Sequence, residues 1–173
     1  MYIIVGLGNS GNQYQHTYHN VGFDCLDYLI PGIELRKNDS FHSYIAKVGD
    51  YIFMKPTTFM NLSGKAVYAV MQYYKIPLEQ VVVLHDDSDI SLGSYKIQVN
   101  RGSGGHRGIQ SIIQQCGGKQ MRRIRIGIRA ERFGKDKAHD FVLRKISLED
   151  QYVLDEVYAD IQTSFTQDKI INV

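Results

Sequence analysis

Apolar positions recur along the chain with two different periods, and their alternation sets the expected architecture. Tyr2–Val5 is a short apolar run ending in a glycine-rich turn, the pattern of a buried first strand. Asn20–Ile30 carries Val21, Leu26, Leu29 and Ile30 at roughly helical spacing and stops before Pro31-Gly32. Tyr44–Val48 and Tyr51–Met54, split by Gly49-Asp50, predict a β-hairpin. Asn61–Lys75 places Leu62, Ala66, Val67, Val70, Met71 and Tyr74 on one helical stripe and ends before Pro77. Val81–Leu84 is an unbroken apolar run, as in a central strand covered on both faces. Tyr95–Val99 and Ile124–Ile128 alternate as strands, with a helix from about Gly108 to Gln115 between them. Ser147 with Asp150 is a capping-box start, and Leu154, Val157, Tyr158, Ile161 and Phe165 follow on one face.

Strands alternating with helices predict an α/β fold, one domain over residues 1–173 built on a mostly parallel sheet. Such sheets bind ligands at the carboxyl ends of their strands. Polar clusters fall where those ends are expected: Gly6–His19, Lys55–Asn61, His85–Asp89 and Asn100–Arg107. The topology predicts that these four loops converge on one site.

Composition narrows the class. The apolar and charged fractions, 43% and 22%, are those of a globular protein. No run approaches the roughly 18 apolar residues of a membrane span. The start, Met1–Ser10, has no basic region and turns polar early, so a cytoplasmic protein without a signal peptide is expected. Cys25 and Cys116 are isolated and read as reduced thiols. The net charge of +2 hides an asymmetry: Lys96–Lys145 holds 13 Lys+Arg against 3 Asp+Glu, a local +10. Arg122, Arg123, Arg125, Arg129 and Arg132 are its dense part. Any one of them can belong to a solvated face; the block as a whole points to a polyanionic partner, because clustered cations displace counterions from phosphates.

The motifs carry the chemistry. Gly6-Leu7-Gly8-Asn9-Ser10-Gly11 matches G-x-G-x-x-G after a strand, but no apolar helix follows it and the second strand ends without an acidic residue for a ribose. A nucleotide-dependent oxidoreductase is therefore disfavoured. His85-Asp86-Asp87-Ser88-Asp89 lacks the glycine and terminal glutamate of a calcium loop, and no HExxH accompanies it, so no metal is expected. A histidine oriented by a buried carboxylate activates water without one. There is no nucleophile elbow and no catalytic cysteine. His42 and His139 read as structural, while His16, His85 and His106 lie beside the polar clusters without a partner that the sequence names.

Five blocks in order resemble the bacterial-type peptidyl-tRNA hydrolase family over essentially the whole chain: Val5–Phe23, Lys55–Val67, His85–Gly93, Gly102–Ile112 and Arg122–Ile128. The resemblance implies a twisted mixed sheet between helices and a monomeric, cofactor-free, metal-independent esterase acting on peptidyl-tRNA. It implies that His19 activates water, that Asp86 pairs with it, and that Asn9 and Asn61 bond the histidine and the substrate, with Asn61 an oxyanion donor. Tyr14, Phe59 and Met60 match residues lining the cleft for the peptide and the tRNA 3′ end, and Arg125 falls where the family clamps tRNA phosphate. Three departures stand out. The family's G-H-N-G is Gly105-His106-Arg107-Gly108, which makes Arg107 a candidate substrate grip; Gln98 replaces a common basic residue; and the sequence stops at Val173, short of a helical tail many members have. The alternative, an RNA-binding relative without turnover, has no use for a base-and-carboxylate pair.

Overall fold

A computed structural model of the chain describes residues 1–166. Seven strands form one mixed sheet: β1 Tyr2–Gly6, β2 Arg36–Asn38, β3 Ser43–Val48, β4 Tyr51–Pro56, β5 Val81–Ser91, β6 Tyr95–Val99 and β7 Arg122–Arg129, in the order β2-β3-β4-β1-β5-β7-β6. β4, β1, β5 and β7 run parallel; β3 and β6 pair antiparallel with β4 and β7, and β2 pairs antiparallel with β3 at one edge. The helices are α1 Val21–Leu29, α2 Ser63–Tyr74, α3 Arg107–Cys116, α4 Ala138–Phe141 and α5 Leu148–Thr166. Among the described residues no helix is long and apolar enough to cross a membrane.

Strand alternation decides which face each side chain joins. Ile4, Val82, Leu84, Ile124 and Ile126 pack with α1 and α5, while Ile3, Val5, Val81 and Val83 pack with α2 and α3. Cys25 belongs to the first cluster and Cys116 packs against the second, on opposite faces of the sheet. α5 buries Leu154, Val157, Tyr158 and Ile161. Leu154, Val157 and Ile161 each contribute about 1.5–3 kcal/mol by leaving water. At its start Ser147 Oγ accepts from the Asp150 N–H, as the Ser147/Asp150 spacing predicts. The expectation of a shortened C-terminal tail lies outside the described residues.

The hairpin and the helices fall where periodicity puts them, within a few residues. Two readings need correction. β5 does not stop at Leu84: it runs through His85–Ser91, pairing with β7 as far as Asp87 and again at Ser91 across a register shift. Its second half is polar because it borders a cavity, while its backbone stays in the ladder. The Asn100–Arg107 segment also does not start at the site's end of the sheet. β6 is antiparallel, so Val99 lies beside Arg122 at the start of β7. The chain turns there on Asn100, at φ 57°, and returns through Gly104 and Gly105, whose φ values of 60° and 85° favour glycine.

Candidate active site

β1 lies between β4 and β5, so the chain crosses to one side of it and then to the other. The loops beyond the ends of β1, β4 and β5 open a crevice at this switch point. Gly22 brings α1 hard against it: a Cβ there would stand 2.4 Å from the Leu84 carbonyl oxygen and 2.6 Å from that of Leu7. His19 sits in the turn immediately before α1, and its own N–H donates to the Val142 carbonyl at 2.8 Å. Asn20 fixes the loop above it. Its Oδ1 accepts from the Asn9 N–H at 2.8 Å and its Nδ2 donates to the Asn9 carbonyl at 3.0 Å. Asn9 in turn accepts the Met60 N–H at Oδ1, 2.9 Å away. That bond defines the amide's orientation and leaves its NH2 as the donor.

Asp86, in the polar half of β5, is buried at 3% exposure beneath His19. Its Oδ1 receives His19 Nδ1 at 2.9 Å and His106 Nε2 at 2.8 Å. Burial pulls the His19 imidazole down; the charge and hydrogen bond of Asp86 outweigh that, Arg107 opposes them, and the net direction is up. Burial pushes Asp86 up, and the two imidazoles more than reverse it, holding the carboxyl far below its ordinary range. His85 is buried, and its Nδ1–H donates to the Asp86 carbonyl at 2.6 Å. Burial first, then His106, keeps its pKa well below the ordinary histidine value.

Over this floor lies a cleft of about 580 Å³. One wall carries Phe59, Met60 and Asn61, with Phe59 exposed and Met60 buried. Tyr14 and Asn9 also line the cleft, and Arg107 stands at the start of α3 with its side chain exposed. The wall segment Ala138, His139, Val142 and Leu143 was not read from the sequence; it spans a single turn of helix and the residues just after it and gives no periodic signal. Asn20 was missed as well. The expected convergence of Asn9, Tyr14, His19, Phe59, Met60, Asn61, Asp86 and Arg107 is met: all eight line the cleft.

Arg125 does not join them. It is 6% exposed, its Nε donates to Asp87 Oδ2 at 2.7 Å, and its Nη1 donates to Gln98 Oε1 at 2.6 Å. Gln98 therefore supplies an acceptor, which a basic residue there lacks. The rest of the dense block is buried or tied to acceptors by different means. Arg122 and Arg123 are buried, Arg129 donates to the carbonyls of Ser88, Gly134 and Asp136, and Arg132 holds buried Asp150 together with Tyr18. Lys96, Arg101, Arg107, Lys119, Lys135, Lys137 and Arg144 are the exposed cations of the segment that remain for a polyanion.

His19, Asp86 and His106 place ligand-type atoms within 4.8 Å of one another. Hydrogen bonding accounts for the grouping. His106 Nδ1 accepts from the Gly108 and Ile109 N–H groups, so Nε2 carries the ring proton and is not free to ligate a metal.

The cleft thus holds a carboxylate-supported imidazole, with Asn61 and the Asn9 amide also in its lining, an arrangement that can take a proton from a bound water. The chain belongs to the peptidyl-tRNA hydrolase family, whose model matches residues 3–169. The peptidyl-tRNA hydrolase of Aliarcobacter butzleri is 43% identical over 159 residues, covering 91% of this chain and 86% of that protein. That of Rickettsia bellii is 41% identical over 171 residues, covering 95% and 91%. The crystal structure of peptidyl-tRNA hydrolase from Acinetobacter baumannii superposes with a TM-score of 0.86 at 30% identity, covering 95% of this chain and 86% of that one.

Proposed function

We propose that this chain hydrolyses the ester joining a peptide to tRNA, with His19 as a metal-independent general base. The observation that carries the reading is the His19–Asp86 pair. With Nδ1–H given to Asp86, the unprotonated Nε2 is the nitrogen left for the cleft. It takes a proton from water as that water attacks the ester carbonyl. Asp86 stabilises the imidazolium, which returns the proton to the departing ribose oxygen. Asn61, exposed at the wall, donates to the oxyanion, and the NH2 of Asn9 grips a substrate carbonyl. Tyr14, Phe59 and Met60 line the space for the peptide and the terminal adenosine. Arg107 meets a phosphate or carbonyl near the tRNA 3′ end, and the exposed cations of Lys96–Arg144 attract the rest of the tRNA.

An activated ester needs little more than a positioned water, a base and an oxyanion donor. The test is release of a labelled N-blocked amino acid from tRNA by the wild type and by His19→Ala. Release by the wild type that His19→Ala matches removes His19 from the mechanism. No release by a folded, tRNA-binding wild type ends the hydrolase reading.

A further inference from the structure

Two histidines meet one carboxylate oxygen at the cleft floor, and the backbone tells them apart. His106 caps α3: its Nδ1 accepts from the N–H groups of Gly108 at 3.1 Å and Ile109 at 3.3 Å. An accepting nitrogen carries no proton, so the His106 proton is on Nε2 and is donated to Asp86 Oδ1 at 2.8 Å. His19 donates its Nδ1 proton to the same oxygen at 2.9 Å. We propose that His106 is a positioning residue for the reaction: it locks Asp86 in place and divides that carboxylate between two imidazoles, so that His19 alone serves as base. The proposal deepens the hydrolase reading and rests on it.

The division is unequal because the second nitrogen of His106 is tied to the backbone of α3 and that of His19 is not. A proton on His106 Nδ1 would orphan two amides of the first turn of α3 and set a cation at the positive end of the helix. His19 Nε2 has no such tie. From below, the His85 ring packs against His106 at a centroid distance of 4.7 Å and its Nδ1–H holds the Asp86 carbonyl. The other charged or titratable groups around the trio are few. Arg107 is a cation on α3, Asp87 is engaged by Arg125, Arg123 acts on the His85 ring, and Tyr14 and His139 also line the cleft. Asp86 is thus the anion that supports the His19 imidazolium. Withdrawing the His106 donor concentrates that support on His19, raises its pKa and leaves less free base at a given pH.

Two substitutions separate the two jobs of the ring. His106→Asn places an acceptor near the position of Nδ1 and keeps the cap, but is too short to reach Asp86. His106→Gln extends an amide donor to where Nε2 stands and gives up the cap. The His19 Cε1 proton is followed by NMR through a pH titration, beside the pH profile of kcat/KM and thermal unfolding. His106→Asn should raise the His19 pKa and the acidic limb by about 0.5–1 unit with a near-native unfolding midpoint. His106→Gln should titrate like the wild type and unfold a few degrees lower, by about 2–4 °C per kcal/mol lost. An unmoved His19 titration in His106→Asn, or equal shifts in both variants, overturns the proposal. Should His106→Asn fail to fold, ring-nitrogen shifts of the wild type decide: a proton found on His106 Nδ1 overturns it, and a fixed Nε2-H tautomer while His19 titrates supports it. These titrations need no substrate, so a failure of the hydrolase reading shows separately, as absent release from tRNA.

Discussion

The cleft floor and strand β7 are both dense in ionisable groups, yet they differ in what those groups have left to give. On the floor, His19 commits one nitrogen to Asp86 and keeps the other, and Asn9 commits its oxygen and keeps its NH2. On β7, Arg125 is held by Asp87 and Gln98, and Arg129 by three carbonyls. A group is available for chemistry when its scaffold satisfies half of it. A group satisfied on every side is architecture, whatever its charge.

The largest expected effect lies on the floor. His19→Ala should lower turnover by about two to four orders of magnitude while tRNA binding survives, because a base acts in the transition state. Binding measured by filter retention beside single-turnover release checks both halves, and a parallel loss of affinity would break the distinction between base and binder.

Asp86→Asn should cost about one to two orders of magnitude, less than loss of the base. The sign of its pH effect follows from the native direction. Asp86 raises the His19 pKa against the pull of burial, so an uncharged amide lowers it and the acidic limb of kcat/KM moves down in pH. An unshifted limb would mean that the pairing does not operate in solution.

Arg125→Met probes the other region. Its partner Asp87 would be left with a carboxylate at 14% side-chain exposure, so stability should fall by roughly 2–3 kcal/mol in urea unfolding. The salt dependence of tRNA binding should stay as it is. A flatter salt slope with native stability would reverse the roles assigned to β7.

Arg107→Ala is the smallest effect and the sharpest contrast. The exposed guanidinium should contribute a several-fold change in KM and about one unit of salt slope, with turnover at saturation little altered. Equal salt slopes for Arg107→Ala and the wild type would leave Arg107 a solvated charge.

How far the sequence carried the reading follows from the range of the interactions. Periodicity located α1, α2, α3 and the β3–β4 hairpin because their patterns are local. The polar second half of β5 looked like loop, since its strand character comes from β7, some forty residues on. His19 and Asp86 were legible through the family resemblance. His106 stood in a recognised cluster, but its tie to Asp86 spans 20 residues and its cap forms only once α3 does. The arginine block shows the same limit: counting charges along the chain ignores Asp87 and Gln98, which neighbouring strands bring alongside Arg125.

The wall segment is hydrogen-bonded strand-like along the loop that carries His19. His19 N–H meets the Val142 carbonyl, Tyr18 N–H that of Arg144, and Ile146 N–H that of His16. The wall and His19 are therefore mechanically joined, since the wall cannot lift without breaking the bond at the main chain of His19. The His19 amide proton becomes a clock for the cleft: its exchange with deuterated solvent times each opening, and a ligand that holds the wall shut should slow it.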